Sequence, residues 1–181
     1  ASVPVKVHSV VGLIPLFAVT TLGAATLERL PDFADRMRWF LEHKPAYADV
    51  AHVRMLQGSE GRLLSLVDED RLRRLLRRML DESEFLSPHG LRALSAYHRE
   101  HPYVIQVEGM TATVDYEPAE STTNMFGGNS NWRGPIWFPL NYLVVNTLER
   151  YYRFFGDELT IEYPTGTGQQ RSLDYVAEDL R

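Results

Sequence analysis

From Ser9 to Leu27 the chain carries no charged side chain, and this run constrains the fold more than any other feature of the sequence. A helix needs roughly 20 apolar residues to cross a bilayer, so the length alone raises a membrane span or a leader segment. Gly12, Pro15, Gly23 and the threonines at Thr20, Thr21 and Thr26 interrupt the run, however, and no basic segment precedes it. Both features argue against a span and against a leader. Residues 11–22 are apolar nearly all round, which predicts an inner helix packed on several sides, with Pro15 tolerated only in its first turn.

Downstream, Leu30-Pro31-Asp32 opens a stretch in which Phe33, Met37, Phe40 and Leu41 recur at steps of three and four before Pro45 closes it. That spacing predicts an amphipathic helix. Gly58 to Gly61 reads as a turn and Arg62 to Val67 as a short strand. Asp68 then offers an N-cap, Glu69 and Asp70 suit the positive helix end, and Leu72, Leu75, Leu76, Met79 and Leu80 form one apolar stripe. The other face of this helix holds Arg71, Arg73, Arg74, Arg77 and Arg78, which invites an RNA-binding reading. The competing one is a solvated face or one paired with acids such as Glu82 and Glu84.

Tyr103 to Tyr116 alternates apolar and polar residues around Gly109, the pattern of a small hairpin. Pro139 suits the first turn of a long helix carrying Leu140, Leu143, Val144, Leu148, Tyr151 and Phe155, with Gly156 as C-cap. A strand at Thr160 to Tyr163 leads through Pro164-Thr165-Gly166-Thr167-Gly168 to a helix starting near Ser172. The expectation is a mainly α body with small β elements, residues 1–181 forming a single segment without internal repeat or linker.

With 181 residues, 44% of them hydrophobic, the chain is large enough for a real core, as one domain or part of a larger one. Its formal net charge of -5 argues against nucleic acid or an anionic membrane as partner, because both gather a positive surface. A neutral ligand fits better. The absence of cysteine excludes a disulfide framework and a thiolate nucleophile and favours a reducing, cytoplasmic setting. The histidines at His8, His43, His52, His89, His98 and His101 form no helical pair with an intervening Glu, so no metal is expected. Ser130 lacks a nucleophile-elbow context, and no Walker-type phosphate loop is present; no cofactor is expected.

The most informative stretch runs from Phe126 to Tyr142. It combines Gly127-Gly128, the amides of Asn129, Asn131 and Asn141, the indoles of Trp132 and Trp137, and Arg133, all entering a helix. Such a set suits sugar recognition, since an indole covers the apolar face of a pyranose while amides and a guanidinium bond its hydroxyls. The alternative is that Trp132 and Trp137 are core anchors and Arg133 pairs with an internal acid. Glu117 and Glu120 flank Pro118 just before this stretch and are weak catalytic candidates, because loop carboxylates more often cap, pair or face water.

The segment Gly127 to Leu143, with its Trp132-Arg133-Gly134-Pro135-Ile136-Trp137 core, resembles the Trp-Arg-Gly-Pro-x-Trp segment of bacterial proteins in glycoside hydrolase family 63. Four further blocks match in order: Val10 to Val19, Ser87 to Ser95, Tyr116 to Ser121, and Tyr163 to Gly168. The resemblance, to mannosyl-oligosaccharide glucosidase-like and mannosylglycerate hydrolase-like members, implies part of an (α/α)6 barrel of paired helices, decorated here with small β-hairpins. It implies an inverting, exo-acting α-glycosidase for glucosyl or mannosyl glycosides, working without cofactor. Inversion requires an acid and a base carboxyl about 6.5–9.5 Å apart. In the family the acid is an Asp upstream of the Gly-Leu-Ile-Pro block and the base a Glu downstream of the Pro-Thr-Gly block; neither matches a position in this sequence. The segment alone is therefore expected to be inactive. Its role would be substrate placement through Trp132, Arg133 and Trp137, with Asn129 and Asn131 as secondary partners and Arg92 as a more distant one. The partners expected are a small carbohydrate and the rest of the parent chain. A non-catalytic carbohydrate-binding or interaction module of the same fold is the alternative.

Overall fold

Burial along the first apolar run follows a period of three. Val10, Leu13 and Leu16 are buried, while Val11 and Ile14 are exposed. The computed structural model, which describes residues 5–50, 54–55, 62–107, 109–118 and 135–181, gives the reason: Val10–Phe17 is a 3-10 helix with Pro15 inside it. A 3-10 helix eclipses side chains at i and i+3, so one residue in three shares a face. The expected inner α-helix is thereby corrected. Proline cannot donate the i to i−4 bond that an α-helix would require in mid-run. Ser9 caps the start by accepting from the Val11 N–H at 3.3 Å. The chain then continues as a strand, β1 (Val19–Leu22), and a short helix, α1 (Ala24–Arg29).

Next come α2 (Pro31–His43), α3 (Pro45–Val50), β2 (Arg54–Met55) and β3 (Arg62–Ser65). The turn expected at Gly58 to Gly61 lies outside the described residues. β1, β3 and β2 form an antiparallel sheet in that order, with Val19 opposite Ser65 and Leu22 opposite Arg62. Leu63 and Ser65 point inward in alternation, as the pleat requires. α2 is amphipathic as expected, yet it buries no residue fully, and Phe33, Trp39 and Phe40 remain exposed.

α4 (Glu69–Met79) is the helix most legible in the sequence. Asp68 accepts from the Arg71 N–H at 2.6 Å, and Leu72, Leu76 and Met79 are buried. On its polar face Arg73 pairs with Glu69 at 3.0 Å and Arg78 with Glu84 at 3.4 Å. β4 (Leu86–Ser87) and β5 (Gly90–Leu91) make a two-residue ladder, and β6 (Tyr103–Val107) with β7 (Met110–Val114) make the expected hairpin. Gly109 supplies its turn at φ 83°.

α5 (Phe138–Phe155) is the long helix, ended by Gly156 at φ 56°. It lies against α6 (Leu173–Leu180), β1 and the 3-10 helix. Leu143, one of its apolar positions, is exposed, whereas Phe154 is buried. β8 (Thr160–Glu162) pairs with β9 (Gln170–Ser172), a strand not anticipated from the sequence, and Ser172 caps α6. The core gathers Leu13, Leu16, Leu72, Leu76, Met79, Val144, Leu148, Tyr151, Leu173 and Val176. The architecture is mainly α with small antiparallel strand pairs.

Candidate functional site

Four residues, Leu91 to Leu94, act as the junction of the molecule. The backbone N–H of Val10 donates to Ala93 O at 2.9 Å, and Ser9 bridges to Leu94. The N–H of Ala93 donates to Pro135 O at 2.7 Å, and Arg92 bridges to Ile136. The Asn141 side chain completes the join from the first turn of α5: its Oδ1 accepts from the Leu91 N–H at 2.7 Å, and its Nδ2 donates to Leu91 O at 3.2 Å and to Trp137 O at 3.1 Å. Three sequence blocks that are far apart along the chain are thus stitched together at one place.

The close approach has a local requirement. Gly90 lies at φ 110°, and a Cβ there would stand 2.8 Å from Asn141 Oδ1. Only glycine accepts that backbone conformation without strain.

Of the sequence-predicted residues, Glu120, Asn129, Asn131, Trp132 and Arg133 lie outside the described residues. Trp137 is described: it is half-buried, occupies the N-cap position of α5 and packs against the core. Glu117 is half-buried just beyond the hairpin and has an interaction partner. Arg92 is half-buried at the junction. Its Nη1 donates to the carbonyls of Glu82 at 3.0 Å, Glu84 at 3.4 Å and Leu86, and its Nε donates to the Tyr116 hydroxyl at 3.1 Å.

Two features had no signal in the sequence. One is Asp115, whose Oδ1 is a buried side-chain atom without a hydrogen-bond partner among the described residues. It stands beside Tyr116 on the strand end that leads toward the Gly-Gly-Asn segment. The other is a buried polar cluster under the junction. Glu84 is 8% exposed and His98 1% exposed. Glu84 accepts from Ser95 Oγ and faces His8 Nδ1 at 3.2 Å and Arg78 at 3.4 Å. The backbone N–H of His8 donates to His98 Nε2 at 2.8 Å, so the proton sits on His98 Nδ1, which donates to His101 O at 2.9 Å. Burial pulls the His98 pKa below its ordinary value, opposed by that bond to His101.

From the start of α5 an open groove of about 310 Å³ runs toward the end of α6. Phe138 and Tyr142, both exposed, line it with Asn141, Asn146, Glu149 and Arg181. Two rings one helical turn apart, followed by amides and an ion pair between Glu149 and Arg181, give it a mixed apolar and polar lining. Among the described residues no three His, Cys, Asp or Glu side chains are grouped to hold a metal, and no helix is long and apolar enough to cross a membrane.

An uncharacterized protein of Saccharomyces cerevisiae, YMR196W, is 44% identical over 98% of this chain, a match that covers 16% of its own length. A probable mannosyl-oligosaccharide glucosidase of Schizosaccharomyces pombe is 33% identical over 47% of this chain and 8% of its own length. The chain therefore spans a small fraction of the curated relatives it matches. No solved structure gives a significant match. Residues 60–163 match the family model described as the glycosyl hydrolase family 63 C-terminal domain. This span contains the α4 helix, the Leu91 to Leu94 junction and the Trp132-Arg133-Gly134-Pro135-Ile136-Trp137 segment, and with it more than half of the sequence: the chain belongs to glycosyl hydrolase family 63.

Proposed function

We propose that this segment supplies barrel helices and a substrate-facing loop to an inverting, exo-acting α-glycosidase that hydrolyses α-linked glucosyl or mannosyl glycosides. The observation that carries the reading is the junction itself. The exit of the Trp-Arg-Gly segment is anchored at Ala93 and Leu91 by main-chain and Asn141 hydrogen bonds, beside a groove with two exposed rings. In the proposal, this anchored helix start is the support from which the segment's amides and guanidinium would meet a sugar.

In this reading Trp132 and Trp137 cover the sugar's apolar face, and Arg133, Asn129 and Asn131 bond its hydroxyls. The acid and base carboxyls come from elsewhere in a longer chain, and Glu117 and Glu120 stay secondary candidates. The exposed apolar residues Phe33, Trp39 and Phe40 of α2, and separately Val11 and Ile14 of the 3-10 helix, are positions against which further helices of a closed (α/α)6 barrel would pack. The setting proposed is cytoplasmic, with a neutral carbohydrate as partner and no cofactor.

Arg133→Ala in the full-length protein is expected to lower kcat/KM on its α-glycoside by about 10- to 100-fold, the worth of one hydrogen bond to a charged group. The thermal midpoint should move little. Unchanged kinetics would remove Arg133 from the site.

A further inference from the structure

We propose that His98 is a pH-operated latch: it docks the backbone of Val7 to Ser9 while its ring is neutral and releases it when the ring takes up a second proton. His98 lies in the 3-10 turn Ala96–Arg99 and is 1% exposed. Its Nε2 accepts from the His8 N–H at 2.8 Å, and its Nδ1–H donates to His101 O at 2.9 Å. These two bonds fix the tautomer, so a second proton has to enter at Nε2. There it sets one donor against another at a buried site, and the His8 N–H loses its acceptor.

Little else holds this stretch. Val5 and Lys6 are exposed, Val7 to Ser9 are half-buried, and full burial begins only at Val10. The remaining ties are a short ladder: the Ser95 N–H donates to His8 O at 2.9 Å, Ser9 bridges to Leu94, and the Val10 N–H donates to Ala93 O at 2.9 Å. A segment docked by a few bonds and little apolar area opens locally at low cost. The groups facing the latch come from three sides. His8, on the docked segment, and His101, beyond the turn, disfavour a charged His98 ring, whereas Glu84, after α4, favours it. Glu84 is itself engaged by Ser95 Oγ, by His8 Nδ1 at 3.2 Å and by Arg78 at 3.4 Å. Tyr97 stacks on the His8 ring at 4.9 Å and turns an edge toward His98 at 5.5 Å. Burial is the largest influence and holds the docked His98 pKa below the ordinary 6.5. Release is therefore independent of pH well above 6.5 and becomes easier as pH falls through it, by at most about 10-fold in the opening equilibrium per pH unit.

Amide hydrogen exchange of the full-length protein between pH 7.5 and 5 tests this, each rate being referred to that of an unstructured chain at the same pH. Protection at His8, Val10 and Ser95 is expected to fall by up to about 10-fold per pH unit once the pH drops below the ordinary histidine value. Low urea should leave this exchange unchanged, because a local opening exposes little surface, while exchange of α5 core amides such as Leu148 rises with urea. His98→Gln, whose Oε1 still accepts from the His8 N–H, should abolish the pH slope; His8→Gln, which keeps the backbone bond, should retain it. Should His98→Gln fail to fold, the wild-type series and His8→Gln decide alone. Constant protection in the wild-type protein overturns the proposal, as does exchange that shares the urea dependence of the core, since the event is then global unfolding. A slope unchanged in His98→Gln overturns it too, and a slope lost in His8→Gln overturns it by assigning the effect to the pair of His8 with Glu84.

Discussion

His98 shows how one buried side chain makes stability depend on pH. Its Nε2 accepts from the His8 N–H and its Nδ1–H donates to His101 O, so both ring nitrogens are committed and a second proton has no acceptor. The groups facing it are His8 and His101, which also disfavour its charge, and Glu84, which favours it. The folded-state pKa lies below the ordinary 6.5; hence at falling pH the unfolded chain takes up a proton before the folded one does. Stability is unaffected well above pH 6.5 and declines as pH drops through that value, by at most about 1.4 kcal/mol per pH unit for one site. Urea midpoints between pH 7.5 and 5 should show the decline, and His98→Gln, whose Oε1 still accepts from His8, should flatten it. An identical slope in the variant would place the effect elsewhere.

Among the elements, those built on local rules were the ones readable in advance. The α4 stripe with its Asp68 cap, the hairpin around Gly109 and the end of α5 at Gly156 each follow from a few neighbouring residues. Over residues 11–22, expected as one helix, apolar content alone does not distinguish an α-helix from a 3-10 helix followed by a strand; Pro15 and pairing with β3 decide it. Glycines with positive φ separate by context in the same way. At Gly109 a Cβ would meet open space, whereas at Gly90 it would meet Asn141 Oδ1 at 2.8 Å. Gly109→Ala should therefore cost about 1 kcal/mol of backbone strain. Gly90→Ala should cost about 2–3 kcal/mol, because it also dislodges the acceptor of the Leu91 N–H. Chemical denaturation of the two variants compares them directly, and equal costs would mean that Asn141 moves aside freely.

At the scale of the molecule, Leu148 stands where the 3-10 helix, α4 and α5 meet, beside Leu16, Leu72 and Leu76. It is 1% exposed. Leu148→Ala should cost about 2–5 kcal/mol, and far-UV circular dichroism and tryptophan fluorescence should lose their signals together in one transition. Separated transitions would show that the elements around this core unfold independently. Net charge argued against a nucleic-acid partner, periodicity identified the principal helices, and the ordered motifs marked the family. All of these are properties of residues near one another in sequence. The meeting of Val10, Tyr116, Pro135 and Asn141 around Leu91 to Leu94, the bond from Arg92 to the Tyr116 hydroxyl and the buried His98 came from tertiary structure alone. Each depends on a hydrogen bond between residues tens of positions apart, whose geometry exists only once the chain has closed on itself.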